Sequence, residues 1–331
     1  MIWHNIWQWP VVVTAEAKRA VLESERTQQL RRGEDPMHRR LNQLRFFSGV
    51  MTFSLSLAAG CTSDGGTDDT PGPNEELTLD NCATSVASDA PEFYQYFRCV
   101  TLTVGSDSIS IASVALPPHK SYYYGEDSPN YTAFDGAPGN SPNPGHIEAG
   151  HVNIKIPNNP VSRGLTIDES LVDGMAQTSQ YEYPGGVGLA LDGIPIFDGT
   201  AAPGDDLNQA SKAFDSYNGH PDFDNLYHYH GDSKGPLEVL ARAGLIDGTT
   251  PGSAEVEIYG IMCDGTVVLG CTEADGSAPD TSDVDAQGGH VHDIVGESGT
   301  TFFSNRYHTH VCASIHTFAP EIQYYDACYR G

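Results

Sequence analysis

Apolar and polar residues alternate with a period of two along much of the chain from Leu79 onward, the pattern of strands buried on one face. Over residues 100–116 the apolar positions include Leu102, Val104, Ile109 and Ile111, which predicts a hairpin turning at Gly105-Ser106-Asp107. Residues 151–156 alternate until Pro157, which lacks a backbone donor for a ladder. Residues 187–191 and 194–197 flank a turn at Asp192-Gly193, and residues 256–261 and 266–269 flank another at Asp264-Gly265. Helical spacing is scarce. Residues 92–97 fit one short helix. Residues 236–243 fit a second, with Pro236 at its start, Leu237, Leu240 and Ala241 on one face, and Gly244 past its end. The expected fold is mainly β: an antiparallel sandwich or distorted barrel with one or two short helices.

Three elements recur in the same order. Leu191-Asp192-Gly193-Ile194 corresponds to Cys263-Asp264-Gly265-Thr266, Asp215 to His220 corresponds to Asp285 to His290, and Tyr227-His228-Tyr229-His230 corresponds to Tyr307-His308-Thr309-His310. An internal repeat therefore relates about 187–231 to about 258–311. It carries either two similar sites or two halves of one.

The repeated elements end in histidines. On a strand, alternate side chains share a face, so His228 and His230 project together, away from Tyr227 and Tyr229. His220, returned by a tight Gly-His-Pro turn, supplies a third imidazole, and His290, His308 and His310 repeat the set, with His292 added. Three histidines with an open position are the pattern of a catalytic metal site. Zinc is the first expectation and copper, which also favours imidazole, the second. A metal-dependent hydrolase follows from zinc and a copper oxidoreductase, with Tyr229 among the nearby tyrosines, from copper. Asp215 and Asp285, each five residues before a histidine, are expected to hold the imidazoles' second nitrogens or act as acid and base, with Asp224 and Asp293 as alternatives. Asp192, Asp198, Asp205, Asp206 and Asp264 in Gly-rich loops offer calcium a place, although turn chemistry explains them equally and EF-hand spacing is absent. No Gly-x-Ser-x-Gly elbow and no phosphate-binding loop occurs.

The formal charge of −27 excludes nucleic acid as a partner, since its phosphates would be repelled. Residues 37–60 read as an export signal: basic residues up to Arg45, an apolar run from Phe46 to Leu57, and small residues before Cys61. The ending has the form of a lipobox, which predicts lipidation of Cys61, a membrane anchor in the bacterial envelope and Met37 as the start, with residues 1–36 outside the plan. Residues 61–78 are expected to form a disordered tether, and 79–331 the domain. Cys82, Cys99, Cys263, Cys271, Cys312 and Cys328 then lie where disulfides persist, and nearest-neighbour pairing gives 82–99, 263–271 and 312–328.

Tyr227-His228-Tyr229-His230, preceded by Asn218-Gly219-His220 and by Leu191 to Ile196, resembles the YHYH-domain family of secreted bacterial proteins. Residues 116–124 and 154–160 are similar to that family's leading half, so the resemblance spans roughly 110–312. Departures are Phe197-Asp198-Gly199, where a Tyr-Gly-Pro-like turn is expected, and Thr309 in the second copy. The family is defined by sequence, so the resemblance implies domain extent and export rather than a reaction; it also adds His119 to the ligand set. Two other functions remain open: a glycan- or polymer-binding surface built on Tyr122, Tyr123 and Tyr124, with the histidines structural, and a surface protein whose histidines only brace loops.

Overall fold

The computed structural model describes residues 74–162, 164, 187–197, 199, 207–313 and 315. Residues 1–36, the signal with Cys61, and Cys328, Asp198, Asp205 and Asp206 lie outside them. No helix among the described residues is long and apolar enough to cross a membrane.

The molecule is mainly β, with two mixed sheets in a sandwich-like arrangement. The first runs in the order β1 (Ser85–Val86), β2 (Val100–Val104), β3 (Ser108–Ser113) and β4 (Val152–Pro157). The hairpin at Gly105 forms as the alternation requires, with Leu102 opposite Ile111. Leu102, Ile109, Ile111 and Ile156 are buried, while Thr101 and Thr103 are exposed. A short 3₁₀ helix, Glu92–Tyr96, adds Phe93 and Tyr94 to the same core.

The second sheet holds β5 (Gly188–Ala190), β6 (Pro195–Ile196), β7 (Gly219–Pro221), β8 (Tyr227–Tyr229), β9 (Ile258–Met262), β10 (Val267–Leu269), β11 (Gly289–Val295) and β12 (Thr301–His310). Their spatial order, β11-β12-β10-β9-β5-β6-β8-β7, reads alike from either end. The repeat is thus a pseudo-two-fold about the β5–β9 pair, where Leu189 faces Ile261 and Gly188 and Ala190 face Met262 and Gly260. Each half contributes a hairpin at the axis and a hairpin at the edge, joined by parallel pairing of β6 with β8 and of β10 with β12. These parallel contacts correct the purely antiparallel expectation. The described residues form no closed barrel.

Gly188 and Gly260 sit at the axis because a Cβ on either would overlap the opposite strand's backbone. Helix α1 (Leu207–Ala210) is a single turn, and α2 (Lys234–Arg242) begins two residues before Pro236 because the Ser233 side chain accepts from the Gly235 amide and caps it. Gly244 ends α2 with a positive φ of 76°. Order begins before Leu79: Leu77 donates to the Asn130 side chain and accepts from it, both at 2.8 Å.

Cys82 pairs with Cys99 as expected. Cys271 pairs with Cys312, not with Cys263, because β10 and β12 run side by side and bring their C-terminal ends together. The pairings 263–271 and 312–328 are thereby overturned; Cys263 is itself disulfide-bonded.

Candidate metal centres

Each edge hairpin carries one cluster of imidazoles. In the first, His220 of β7 lies directly opposite His228 of β8, and His230 follows β8; in the second, His290 of β11 lies opposite His308 of β12. Five strand spacings separate β8 from β12, roughly 24 Å at about 4.8 Å per strand, so the clusters are two centres and cannot share one ion.

The same loop delivers both. Asp215 and Asp285 each accept from the amides two and four residues on, and their own amides donate to Gly219 and Gly289 at 3.0 and 2.8 Å. Asn218 and Gly288 take positive φ values of 58° and 69° at the same place. The carboxylates then receive the hydroxyls of Tyr227 and Tyr307 at 2.9 Å. Gly219 and Gly289 must lack a Cβ, since it would overlap those phenols. Asp215 and Asp285 therefore hold tyrosines and turns, not imidazoles, which corrects their expected role: a five-residue spacing closes onto the glycine rather than onto the ring. Asp224 is exposed. Asp293 accepts from the Asn305 amide at 2.7 Å.

The imidazoles are oriented by carbonyls instead. His228 donates from Nδ1 to Leu226 at 3.0 Å, His308 to Arg306 at 3.1 Å, His310 to Gly270 at 2.9 Å and His292 to Asp293 at 2.8 Å. A carbonyl can only accept, so Nδ1 carries a proton and Nε2 is the atom left for a further partner. His290 gives its Nδ1 to the Asp283 carboxylate at 2.8 Å.

In the first centre the ligand atoms of His220, His228 and His230 lie within 4.8 Å of one another, all three residues buried. The Nε2 atoms of His228 and His230 are 3.1 Å apart. Phe197 stacks on His228 with centroids 3.8 Å apart, and Phe214 lies parallel to His230 at 5.6 Å. Burial, then the charge on His230, lowers the pKa of His220 to about 3; burial and the neighbouring histidines push His228 well below its usual range. His220 and His228 are thereby held toward their neutral forms.

The second centre contains a residue that sequence reasoning missed. Glu273, on the loop after Cys271, joins His290, His292 and His308, with ligand atoms again within 4.8 Å of one another. Its Oε1 is 3.2 Å from His290 Nε2, 3.4 Å from His292 Nε2 and 3.4 Å from His310 Nε2, and its Oε2 is 3.2 Å from His308 Nε2. His310 Nε2 also lies 3.2 Å from His290 Nε2. Yet Glu273 Oε1 and His308 Nε2, both buried, have no aligned hydrogen bond. Zinc–nitrogen bonds of about 2.0–2.1 Å in a tetrahedron put ligand atoms roughly 3.3–3.4 Å apart, close to these edges. The match is for the carboxylate–imidazole distances, with all four groups' ligand atoms within 4.8 Å of one another. Burial raises the Glu273 pKa, but the surrounding histidines outweigh it and hold the carboxylate far below its ordinary range. His290 moves up, because Glu273 and Asp283 overcome its burial, whereas burial prevails at His308 and lowers it.

His119 is not part of either set. It stacks on Tyr217 at 3.4 Å and meets the Tyr229 hydroxyl with Nε2 at 3.3 Å, on the tyrosine face of β8. Tyr229 also donates to the buried Asp192 at 2.9 Å. An open cavity of about 520 Å³ lies there, lined by Leu79, His119, Tyr217, Glu238 and Arg242 among others, away from the imidazole centres. Asp264 caps its own turn, accepting from the Thr266 amide at 2.8 Å, so turn chemistry accounts for it. Tyr123 is buried and Tyr122 and Tyr124 are half-buried against the core, so they offer no exposed aromatic platform.

Comparison with known protein families, with curated proteins and with solved structures finds no match.

Proposed function

We propose that this chain is an exported, lipid-anchored metal-binding domain of the YHYH type with two histidine centres, of which the one around Glu273 is hydrolytic. The observation that carries the metal reading is the convergence of Glu273 Oε1 and His308 Nε2, buried and without aligned partners, with His290 and His292. A buried lone pair left unmatched costs about 1–3 kcal/mol, and a cation at the shared point removes that cost. Zinc held there, with a water taken in beside the four protein groups, would acidify that water toward neutrality. The chain's own residues orient and balance it: Asp283 fixes His290, the Arg306 carbonyl fixes His308, and Glu273 contributes negative charge. The His292 side chain is 40% exposed, which gives a substrate access from solvent. The disulfides suit an oxidising compartment.

The test is elemental analysis of the full chain after reconstitution, with an ester and phosphoester hydrolysis screen beside it. One or two equivalents of metal, with hydrolysis abolished by chelation and in His292→Ala while the fold persists, are expected. Metal that raises the melting temperature without any hydrolysis would reassign the centres as braces of the edge hairpins. Absence of stoichiometric metal after reconstitution would overturn the reading.

A further inference from the structure

The two centres occupy equivalent places in the repeat but differ in charge and surroundings. In the second, Glu273 brings a carboxylate to the shared point and Asp283 places another behind His290. In the first, the converging ligand atoms among the described residues are three imidazoles. The counterpart of His292, at the spacing of 70 that relates His220 to His290, is Asp222, whose carboxylate is used to accept from the amides of Asp224 and Leu226 at 2.8 and 2.9 Å. What closes on the first set instead is aromatic: the Phe197 ring on His228 and the Phe214 ring beside His230.

We propose that the centres take ions of different charge: His220, His228 and His230 hold copper(I), whereas Glu273, His290, His292 and His308 hold a divalent ion such as zinc. This rests on the metal-binding reading above. Among the described residues the first set brings three imidazoles and no carboxylate to offset an ion, and the cost of burying a charge rises with its square, so a divalent ion costs about four times as much as a monovalent one in the same apolar place. Copper(I) is also satisfied by three nitrogens, and the Phe197 and Phe214 rings give the described side of this centre an apolar lining. At the second centre the carboxylate offsets a divalent charge, four protein ligands converge, and the partly exposed His292 admits water. Glu273 is therefore the residue that sets ion choice between the two halves.

The experiment loads the full chain anaerobically, under reductant, with copper(I) and zinc(II) offered together, then removes unbound metal and measures both elements. Wild type is expected to retain one of each. His228→Ala should lose copper and keep zinc, and His308→Ala the reverse. Because both side chains are buried, Glu273→Gln serves as the gentler variant: zinc affinity should fall at least tenfold with copper unchanged and the circular dichroism spectrum intact. Zinc in both centres of wild type at comparable affinity, or an equal loss of both metals in Glu273→Gln, would overturn the assignment while leaving metal binding in place. A wild-type chain that retains neither metal would instead overturn the metal-binding reading itself.

Discussion

The Tyr227 hydroxyl lies 2.9 Å from each carboxylate oxygen of Asp215, deep in the protein. Because the strand alternates, this bond on one face of β8 fixes His228 and His230 on the other. Asp215 also receives Ser121 at 2.6 Å and the Tyr217 amide at 2.9 Å. Burial still raises its pKa to about 6 against these donors. Tyr227→Phe removes a donor from a buried carboxylate and is expected to cost about 1–3 kcal/mol. Urea unfolding should record that loss, and metal titration a weaker first centre with the second unchanged.

The glycines opposite these phenols give a sharper expectation. Gly219→Ala and Gly289→Ala would each drive a Cβ into the Tyr227 or Tyr307 ring, displacing the loop that carries His220 or His290. Each is expected to destabilise by about 1–3 kcal/mol or more and to release metal from its own half only. Gly248→Ala, where nothing lies near the added Cβ, should stay within about 0.5 kcal/mol. Thermal melts of the three variants, with metal analysis, would separate a local packing effect from general glycine loss.

The imidazole pairs were legible in the chain because a period of two on a strand is a geometric rule, and the repeat followed from turns that need Asp-Gly at fixed places. Glu273 was not legible. It stands among many loop acids, and only its position two residues after Cys271 points to the centre, once Cys271 is known to bond to Cys312, itself two residues past His310. That pairing depends on β10 running parallel to β12, a long-range contact that nearest-neighbour reasoning misses. The same limit misplaced Asp215 and Asp285, whose partners are set by how the loop closes, and His119, whose partner Tyr229 lies 110 residues away.

The Cys271–Cys312 bridge is expected to serve the second centre in particular. It ties the Glu273 loop to the end of β12 and closes 41 residues of chain, worth about 3–4 kcal/mol in the loop-entropy account. Cys271→Ser/Cys312→Ser should lower the melting temperature and weaken the metal site at Glu273 by an order of magnitude or more. The first centre, on the opposite edge, should retain its metal. Equal weakening of both would contradict the local role given to the bridge.

Asp192 and His119 reach the Tyr229 hydroxyl from two sides, at 2.9 and 3.3 Å, and burial moves them oppositely. It raises Asp192 from 3.8 to about 7 and lowers His119 from 6.5 to about 3. Between about pH 4 and 7 the native Asp192 keeps a proton that the unfolded chain releases, so its contribution to stability falls as pH rises through that window. Between about pH 3 and 6.5 the unfolded chain binds a proton that native His119 refuses, so this contribution rises with pH. The two slopes oppose each other over their common range, each at most about 1.4 kcal/mol per pH unit. Asp192→Asn removes the first slope, so relative to wild type it should gain stability toward pH 7 and lose it toward pH 4. His119→Gln should do the reverse. Urea midpoints measured in chelator at pH 4.5 and 7 check both signs, and the other titrating histidines cancel in the comparison with wild type. Variants whose pH profiles run parallel to wild type would mean that neither group changes its proton affinity on folding.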